Sequence, residues 1–325
     1  MLEQGIEIEA LNYVTVFCTC TPKNSSCSSA KTAVAHLGVG LKTINTSREL
    51  LGAVKNPRHG YGRNLNPCLD CRILMFLKAK EYMEEIGASF LITGEVLGER
   101  PMSQRKQAME IIEKEAGLDG LIVRPLCAKA LEPSIPEKEG WVDRSKLLSI
   151  TGRSRKPQIA LAESYGINDY PCPAGGCLLT DAGFAARLRD LMHHNPDCSL
   201  HEVRYLKLGR HYRISPAAKA VVGRKEDENT ALLALAADGD ALLEMAGIMG
   251  PLTVVLGTPS EEDLRTAAAL TAFHSKARGA ESAGVKAHDK AGTACREIVT
   301  APADEDLALK LRVGAEVEAR GGSHH

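Results

Sequence analysis

Short β-branched runs alternate with amphipathic helical runs over the first 125 residues, and this pattern narrows the fold more than any other feature of the chain. Residues 6–17 (IEIEALNYVTVF) read as a strand ending in a polar, cysteine-bearing loop, followed by a helix over 28–37 and a strand over 41–45. A Gly- and Pro-rich stretch from Asn56 to Pro67 precedes a long helix whose apolar positions Ile73, Phe76, Leu77, Ala79 and Met83 recur at helical spacing. Phe90 to Thr93 reads as a short strand, residues 103–116 as a helix capped by Ser103, and Gly120 to Pro125 as another strand. Such alternation predicts an α/β fold with a doubly wound parallel sheet. Ligands gather at the carboxyl ends of the strands in such sheets, so the loops Cys18–Cys27, Thr93–Gln104 and Arg124–Lys129 are expected on one edge.

The 325 residues exceed one ordinary core, and the pattern changes near Pro196. Val203–Leu208, Tyr212–Ile214, Ala220–Val222 and Val254–Leu256 read as strands, and residues 226–237 and a Ser260-capped run to about Lys276 as helices. The expected division is an α/β domain over 1–195, a smaller α+β domain over 196–277, and a linker with a small terminal segment over 278–325. In that last piece, residues 278–293 read as linker, Ile298 as the centre of a strand and 303–312 as helix.

A composition of 44% hydrophobic and 25% charged residues with a net charge of −1 is that of a globular chain with no global nucleic-acid signal. With no apolar run long enough to span a bilayer and no leader-like start, a cytoplasmic location is expected. Ten cysteines in a reducing compartment point to metal or sulfur chemistry rather than disulfides. Cys68 and Cys71 stand three apart at the start of a helix, where the dipole and free amides are expected to lower thiol pKa values. Cys177 follows Gly175-Gly176 and supplies a third candidate ligand. Three thiolates leave a cluster iron open to exogenous sulfur, whereas four close a structural site, for which Cys172 is the nearest spare. Cys18, Cys20 and Cys27 form a rival triad that reads equally as a zinc site, a second sulfur relay or three ordinary loop cysteines. Cys127, Cys198 and Cys295 read as core or surface residues.

The segment Thr93-Gly94-Glu95-Val96-Leu97-Gly98 follows a strand, and Gly94, Glu95 and Ser103 suit the nucleotide side of a site, or equally an ordinary strand-to-helix loop. Residues 141–170 form the best local basic patch, with Arg153, Arg155 and Lys156 as candidates for RNA phosphates. Arg210, Arg213 and Arg224, with His211, Lys219 and Lys225, read either as a second phosphate-binding face or as a solvated one. Trp141 reads as a packing residue rather than a base-stacking platform.

Taken in order, Cys68-Leu-Asp-Cys71-Arg72 with Met75, Thr93–Gly98 with Ser103-Gln104, and Arg124-Pro125-Leu126 resemble the catalytic region of the 4-thiouridine synthetase family. Asn66-Pro67-Cys68-x-x-Cys71 with Phe76 is similar to the bacterial tRNA 2-thiouridylases, and its pairing with Cys177 is similar to cluster-bearing tRNA thiolases. Gly209-Arg210-His211-Tyr212-Arg213, Val222-Gly223-Arg224 and Glu228-Asn229 resemble the RNA-binding domain of NFACT-type proteins. The resemblance implies a PP-loop, adenine nucleotide alpha hydrolase-like fold and an ATP-dependent tRNA sulfurtransferase. It further implies ATP with Mg2+, a [4Fe–4S] cluster or zinc on Cys68, Cys71 and Cys177, tRNA as substrate, and a sulfur donor such as a cysteine desulfurase or free sulfide. One departure stands out: no serine- and glycine-rich SGGxDS loop occurs in the chain, and Met1 to Gly5 reads as the tail of a first helix. The sheet is therefore expected to lack its first strand, and this chain by itself to be inactive toward ATP. The alternatives are a non-catalytic RNA-binding protein with structural zinc and a PP-loop enzyme acting on a small amide or thiol substrate.

Overall fold

A computed structural model describes residues 1–19, 26–167, 177–293 and 295–315. The chain divides into two compact units, Met1–Thr180 and Asp181–His325. The boundary falls at 180 rather than 195, because Asp181 caps a helix that packs within the second unit: its carboxylate accepts from the Phe184 amide at 2.6 Å.

Unit 1 opens with a 3-10 turn, Leu2–Gln4, ended by Gly5 in the left-handed region. Strand β1 (Glu9–Val14), helix α1 (Ser26–Leu37) and β2 (Gly40–Asn45) follow, and β1 pairs parallel to β2 from Glu9↔Gly40 to Val14↔Asn45. Helix α2 (Ser47–Lys55) leads into the Gly/Pro loop and the 18-residue α3 (Cys68–Glu85). Of the apolar α3 positions, Ile73, Phe76, Ala79 and Met83 are buried, whereas Leu77 is 38% exposed, one residue off the core stripe. Strand β3 (Leu91–Ile92), α4 (Lys106–Ala116) and β4 (Ile122–Val123) complete a second parallel pair. Two short helices, α5 (Ile135–Lys138) and α6 (Lys156–Ser164), close the unit. Ile73, Phe76 and Met83 of α3 pack on Ile112 and Ala116 of α4 and on Leu118 and Ile122, each large side chain contributing roughly 1.5–3 kcal/mol. Among the described residues, parallel pairing is present as two two-stranded ladders.

Unit 2 contains α7 (Ala182–His194), α8 (Leu200–Tyr205), β5 (Arg210–Ser215), β6 (Ala218–Val222), α9 (Glu226–Leu235), β7 (Ala241–Met245), β8 (Thr253–Gly257), α10 (Glu261–Phe273), β9 (Ala283–His288), β10 (Arg296–Thr300) and α11 (Glu305–Leu311). Its six strands lie in the order β10-β9-β7-β8-β6-β5, all antiparallel. Residues 203–208 are not a strand. Ser199 and Glu202 form a reciprocal capping box, which starts a helix there and turns Val203 and Tyr205 inward. Nor is 278–293 a linker, because Ala283, Val285 and Ala287 alternate inward and place β9 within the sheet. The sheet is covered on both faces. Ala220 and Val222 meet the alanine-rich α10, while Val221 and Val254 meet Leu232 of α9 and Tyr205 of α8. Small α10 residues, Ala267, Ala268 and Ala272, let that helix approach the strands closely.

Candidate functional site

In unit 1 three segments distant in sequence are tied together by backbone. The Leu178 amide donates to the Phe17 carbonyl at 2.9 Å, and Cys18 and Cys177 form an isolated antiparallel bridge. The Leu65 amide donates to Leu179 at 3.1 Å, and the Asn64 side chain to the Thr180 carbonyl at 2.8 Å. Asp70, in the first turn of α3, accepts from the Arg58 and His59 amides at 2.9 and 3.2 Å and anchors the Gly/Pro loop to the helix that bears Cys68 and Cys71. Thiols from positions 18, 68, 71 and 177 are thereby gathered, and Cys71 feels the other three electrostatically.

The expected lowering of the thiol pKa values does not hold. Burial pushes Cys71 up to about 12, with Cys177, Cys68 and Cys18 adding to the shift and Arg72 opposing it. Burial likewise raises Cys68, against Arg100, and Cys177, against the amides of Leu179 and Thr180. Desolvation outweighs the helix dipole, so these thiols stay protonated until a cation or electrophile takes the proton's place. By donor chemistry the set fits a thiophilic metal or cluster. The described residues nevertheless contain no group of three or more His, Cys, Asp or Glu side chains drawn close enough to hold a metal ion as they stand. Cys20 and Cys172 lie outside the described residues, as does the Cys27 side chain, although Cys27 sits in the first turn of α1.

Gly94, Glu95 and Ser103 occupy different surroundings. Gly94 is exposed with no atom within 4 Å of where a Cβ would stand. Glu95 is 3% exposed and clamped. Arg72 donates to its Oε1 from Nη2 at 2.5 Å and Nε at 3.0 Å, and Arg124 to its Oε2 at 3.1 Å. Arg124 also pairs with Glu113. This network joins the Thr93–Gln104 and Arg124–Lys129 loops to the α3 turn that carries Cys71, as expected of one shared edge, but it leaves the Glu95 carboxylate engaged with arginines. Ser103 is buried and does not cap α4, whose N-cap is Arg105; Gln104 instead accepts from the Arg100 amide at 3.1 Å. Among the basic residues, Arg153 and Lys156 are exposed, while Arg155 pairs with Glu99 at 2.8 Å.

In unit 2 the predicted cations separate by role. Arg213 donates to Asp190 at 3.1 and 2.8 Å and the buried Lys219 joins them at 2.8 Å, which makes this trio a structural knot. Burial alone would raise the Asp190 carboxyl, but Arg213 and Lys219 hold it below the usual carboxylate range; burial pushes Lys219 down to about 8 against the pull of Asp190. His211 is fully enclosed and held neutral, far below its ordinary pKa, by burial and by Lys219 and Arg187. Arg210 and Arg224 lie differently. Burial and the nearby Arg224 and Arg312 lower Arg210, and His274 is pushed down to about 4 by burial and by Arg210, Arg312 and Arg278. Tyr212 sits 2.6 Å from His274 Nε2 and bridges in backbone to Arg312. Arg210, Arg278 and Arg312 thus form an arginine face beside His274, Arg278 pairing with Glu305 at 3.4 Å, and Arg224, paired with Glu228 at 3.2 Å, lies by Arg210. Sequence reading missed Arg278 and Arg312 because they fall at the start of the supposed linker and at the end of the terminal helix.

Residues 209–310 match the NFACT protein RNA binding domain family, the stretch that carries Arg210, Arg224 and Arg278. A solved structure, the C-terminal part of the fibronectin/fibrinogen-binding protein from Streptococcus suis, is similar at 14% identity and a TM-score of 0.31, over 74% of this chain and 99% of that chain; a likeness this slight defines no fold. No curated protein matches the chain.

Proposed function

We propose that this chain serves tRNA thiolation, unit 2 holding the RNA and the unit 1 thiols carrying the sulfur. The observation that supports this most is the gathering of Cys18, Cys68, Cys71 and Cys177 from three distant segments, in a chain whose residues 209–310 match an RNA-binding domain family. The arginine face supplies phosphate contacts without base readout, which suits recognition of a folded RNA by its backbone. In the reaction implied by the resemblance of residues 6–190, a uridine carbonyl oxygen takes AMP from ATP and pyrophosphate leaves. Sulfur then attacks the carbonyl carbon, and the C–O bond to AMP breaks.

Cys68, Cys71 and Cys177 would hold a [4Fe–4S] cluster, which when bound supplies one iron free of protein ligation. The chain's own contribution is to hold the half-buried thiols on neighbouring segments and to fix the α3 turn through the Arg72–Glu95–Arg124 clamp. Adenylation needs a phosphate cradle that residues 1–325 do not contain. A second reading, a structural zinc in an RNA-binding protein, draws on the bridge that sets Cys18 beside Cys177, since four thiols make a closed tetrahedral site. The test is to load the reduced chain anaerobically with iron and sulfide, or with sulfur from a cysteine desulfurase, and to measure protein-bound sulfide or persulfide together with tRNA binding. Sulfur retained on the wild-type chain and lost on Cys71→Ser, with tRNA binding unchanged, is expected. Zinc with no exchangeable sulfur would replace thiolation with the structural reading.

A further inference from the structure

Four neighbouring strands of unit 2 bring one row of residues to the same end of the sheet. The register pairs Arg210 of β5 with Val222 of β6, Val222 with Thr253 of β8, and Thr253 with Leu243 of β7. The start of β5, the end of β6 and the hairpin loop between β7 and β8 therefore stand side by side. That loop, residues 246–252, is anchored at both ends. At one, the Gly223 amide donates to the Leu252 carbonyl at 2.9 Å, and the Leu252 amide donates to the Asn229 side chain at 3.1 Å. At the other, the Ala246 amide donates to the Gly284 carbonyl at 2.9 Å. Gly247 turns the chain in the left-handed region, and a Cβ on Gly250 would collide with the Met245 side chain and lie 3.1 Å from Ser275 Cβ. Between the anchors Ile248 and Met249 project, 45% and 78% exposed, and Met249 is the most exposed large apolar side chain among the described residues. The same anchors lead to cations. Gly223 precedes Arg224, the Ser275 carbonyl accepts from the Arg278 amide at 3.4 Å, and Arg210 opens β5.

We propose that Met249, with Ile248 beside it, is a wedge that packs against an unpaired base where an RNA duplex gives way to single strand. This rests on the reading of unit 2 as the part that holds RNA, and the matched stretch 209–310 includes the tip. The arginines at this end of the sheet meet phosphates, which fix position but carry no sequence or pairing information. An apolar tip set among them has no use for a phosphate. What it can meet in RNA is the face of a base that no longer stacks on its neighbour. Methionine suits that contact, because its unbranched, polarizable thioether adapts to an aromatic ring, and apolar side chains of this kind enter base steps in nucleic-acid-binding proteins. A fully paired helix offers the tip no such face. The wedge therefore gives unit 2 a preference for bulges, loops and helix ends that the arginines alone would not. An anionic membrane also matches cations beside an apolar tip, but even a whole myristoyl chain holds a protein there only marginally, so two side chains favour a base.

The test compares two RNA hairpins with the same stem, one fully paired and one carrying a single 2-aminopurine bulge, each titrated with residues 1–325 at several salt concentrations. Met249→Ser should weaken binding of the bulged hairpin about tenfold, or about 1.4 kcal/mol, and leave the paired hairpin within about twofold. The salt slope should not change, because no phosphate contact is lost. Wild type should alter the 2-aminopurine fluorescence, Met249→Leu should do the same, and Met249→Ser should not. Binding of the paired hairpin reports in the same experiment that the variant is folded. If wild type binds neither hairpin, or binds both regardless of Arg210→Ala, the RNA reading of unit 2 fails and the wedge with it. If both hairpins bind through Arg210 while Met249→Ser weakens them equally or not at all, the wedge alone is overturned. Binding to phosphatidylglycerol vesicles that depends on Met249, with no preference for the bulge, would overturn it in favour of a membrane contact.

Discussion

Cys18 and Cys177, 159 positions apart, face each other across an antiparallel bridge between two loops of unit 1. That pairing brings a member of the supposed rival triad, Cys18, into the company of Cys68 and Cys71. It also makes the thiol chemistry depend on the loops at 15–18 and 177–180 as much as on α3.

The Glu95 clamp is expected to be the most sensitive polar point of unit 1. Glu95→Gln keeps the shape but leaves Arg72 and the 5% exposed Arg124 without their shared anion. Removing one partner of a buried ion pair costs on the order of 3–5 kcal/mol. Urea unfolding of the unit 1 transition should move to a lower midpoint by a corresponding amount. A midpoint within about 0.5 kcal/mol of wild type, as for ordinary surface changes, would mean that Glu113 and solvent, rather than Glu95, neutralise these arginines.

Unit 2 should lose stability as the pH falls from 6.5 toward 4. His211 and His274 stay neutral in the fold, His274 with a pKa of about 4, whereas both protonate near 6.5 when unfolded. The unfolded state therefore binds more protons in this window. Stability is fully present above 6.5 and declines by about 1.4 kcal/mol per pH unit for each histidine. Replacement by His274→Gln should remove about one proton from the slope of unfolding free energy against pH. An unchanged slope would contradict the neutral assignment.

Affinity for tRNA should fall with salt, and the slope should track the arginine face. Charge removal at Arg210, Arg224 and Arg312 should reduce the magnitude of the log Kd against log salt slope by just under one unit per phosphate contact in duplex regions. The Arg153→Glu/Lys156→Glu pair in unit 1 should have a smaller effect. Arg213→Ala should act through stability, because Arg213 is held by Asp190. A slope altered only by the unit 1 pair would move the RNA site to unit 1.

The chain alone should release no AMP from ATP in the presence of tRNA at an enzyme-like rate. Nothing in its sequence provides an SGGxDS-like amide cradle. Robust tRNA-dependent AMP release from residues 1–325, measured with radiolabelled ATP, would show that another segment binds the triphosphate.

Of the unit 1 helices, α1, α3 and α4 were legible and α2, α5 and α6 were not; α3 stood out because apolar spacing is local information. Ile73, Phe76, Ala79 and Met83 mark the buried side of α3 whatever surrounds it. Ser260 with Asp263 likewise announces α10 through a complete capping box. The α8 segment misled because Val203 and Tyr205 alternate like a strand, and only the Ser199–Glu202 box immediately before them gives it away. Strand β9 was hidden for the opposite reason. Ala283, Val285 and Ala287 are small and interspersed with glycine and lysine, so the residues look like linker until neighbouring strands supply their pairing. The Cys68–Cys71 spacing was visible, but the partner Cys18 was not, because a backbone bridge between two loops leaves no periodic trace. Glu95 read as a ligand for the same reason: its two arginines lie 23 and 29 residues away.

Anaerobic reconstitution with iron and sulfide, followed by iron, zinc and sulfide analysis of single serine variants at Cys18, Cys68, Cys71 and Cys177, tests the shared sulfur site most directly. The account predicts iron and sulfide bound to the wild-type chain, lost when Cys68, Cys71 or Cys177 is replaced, and retained in Cys18→Ser. Stoichiometric zinc that depends on all four thiols, or iron and sulfide indifferent to Cys177, would contradict it.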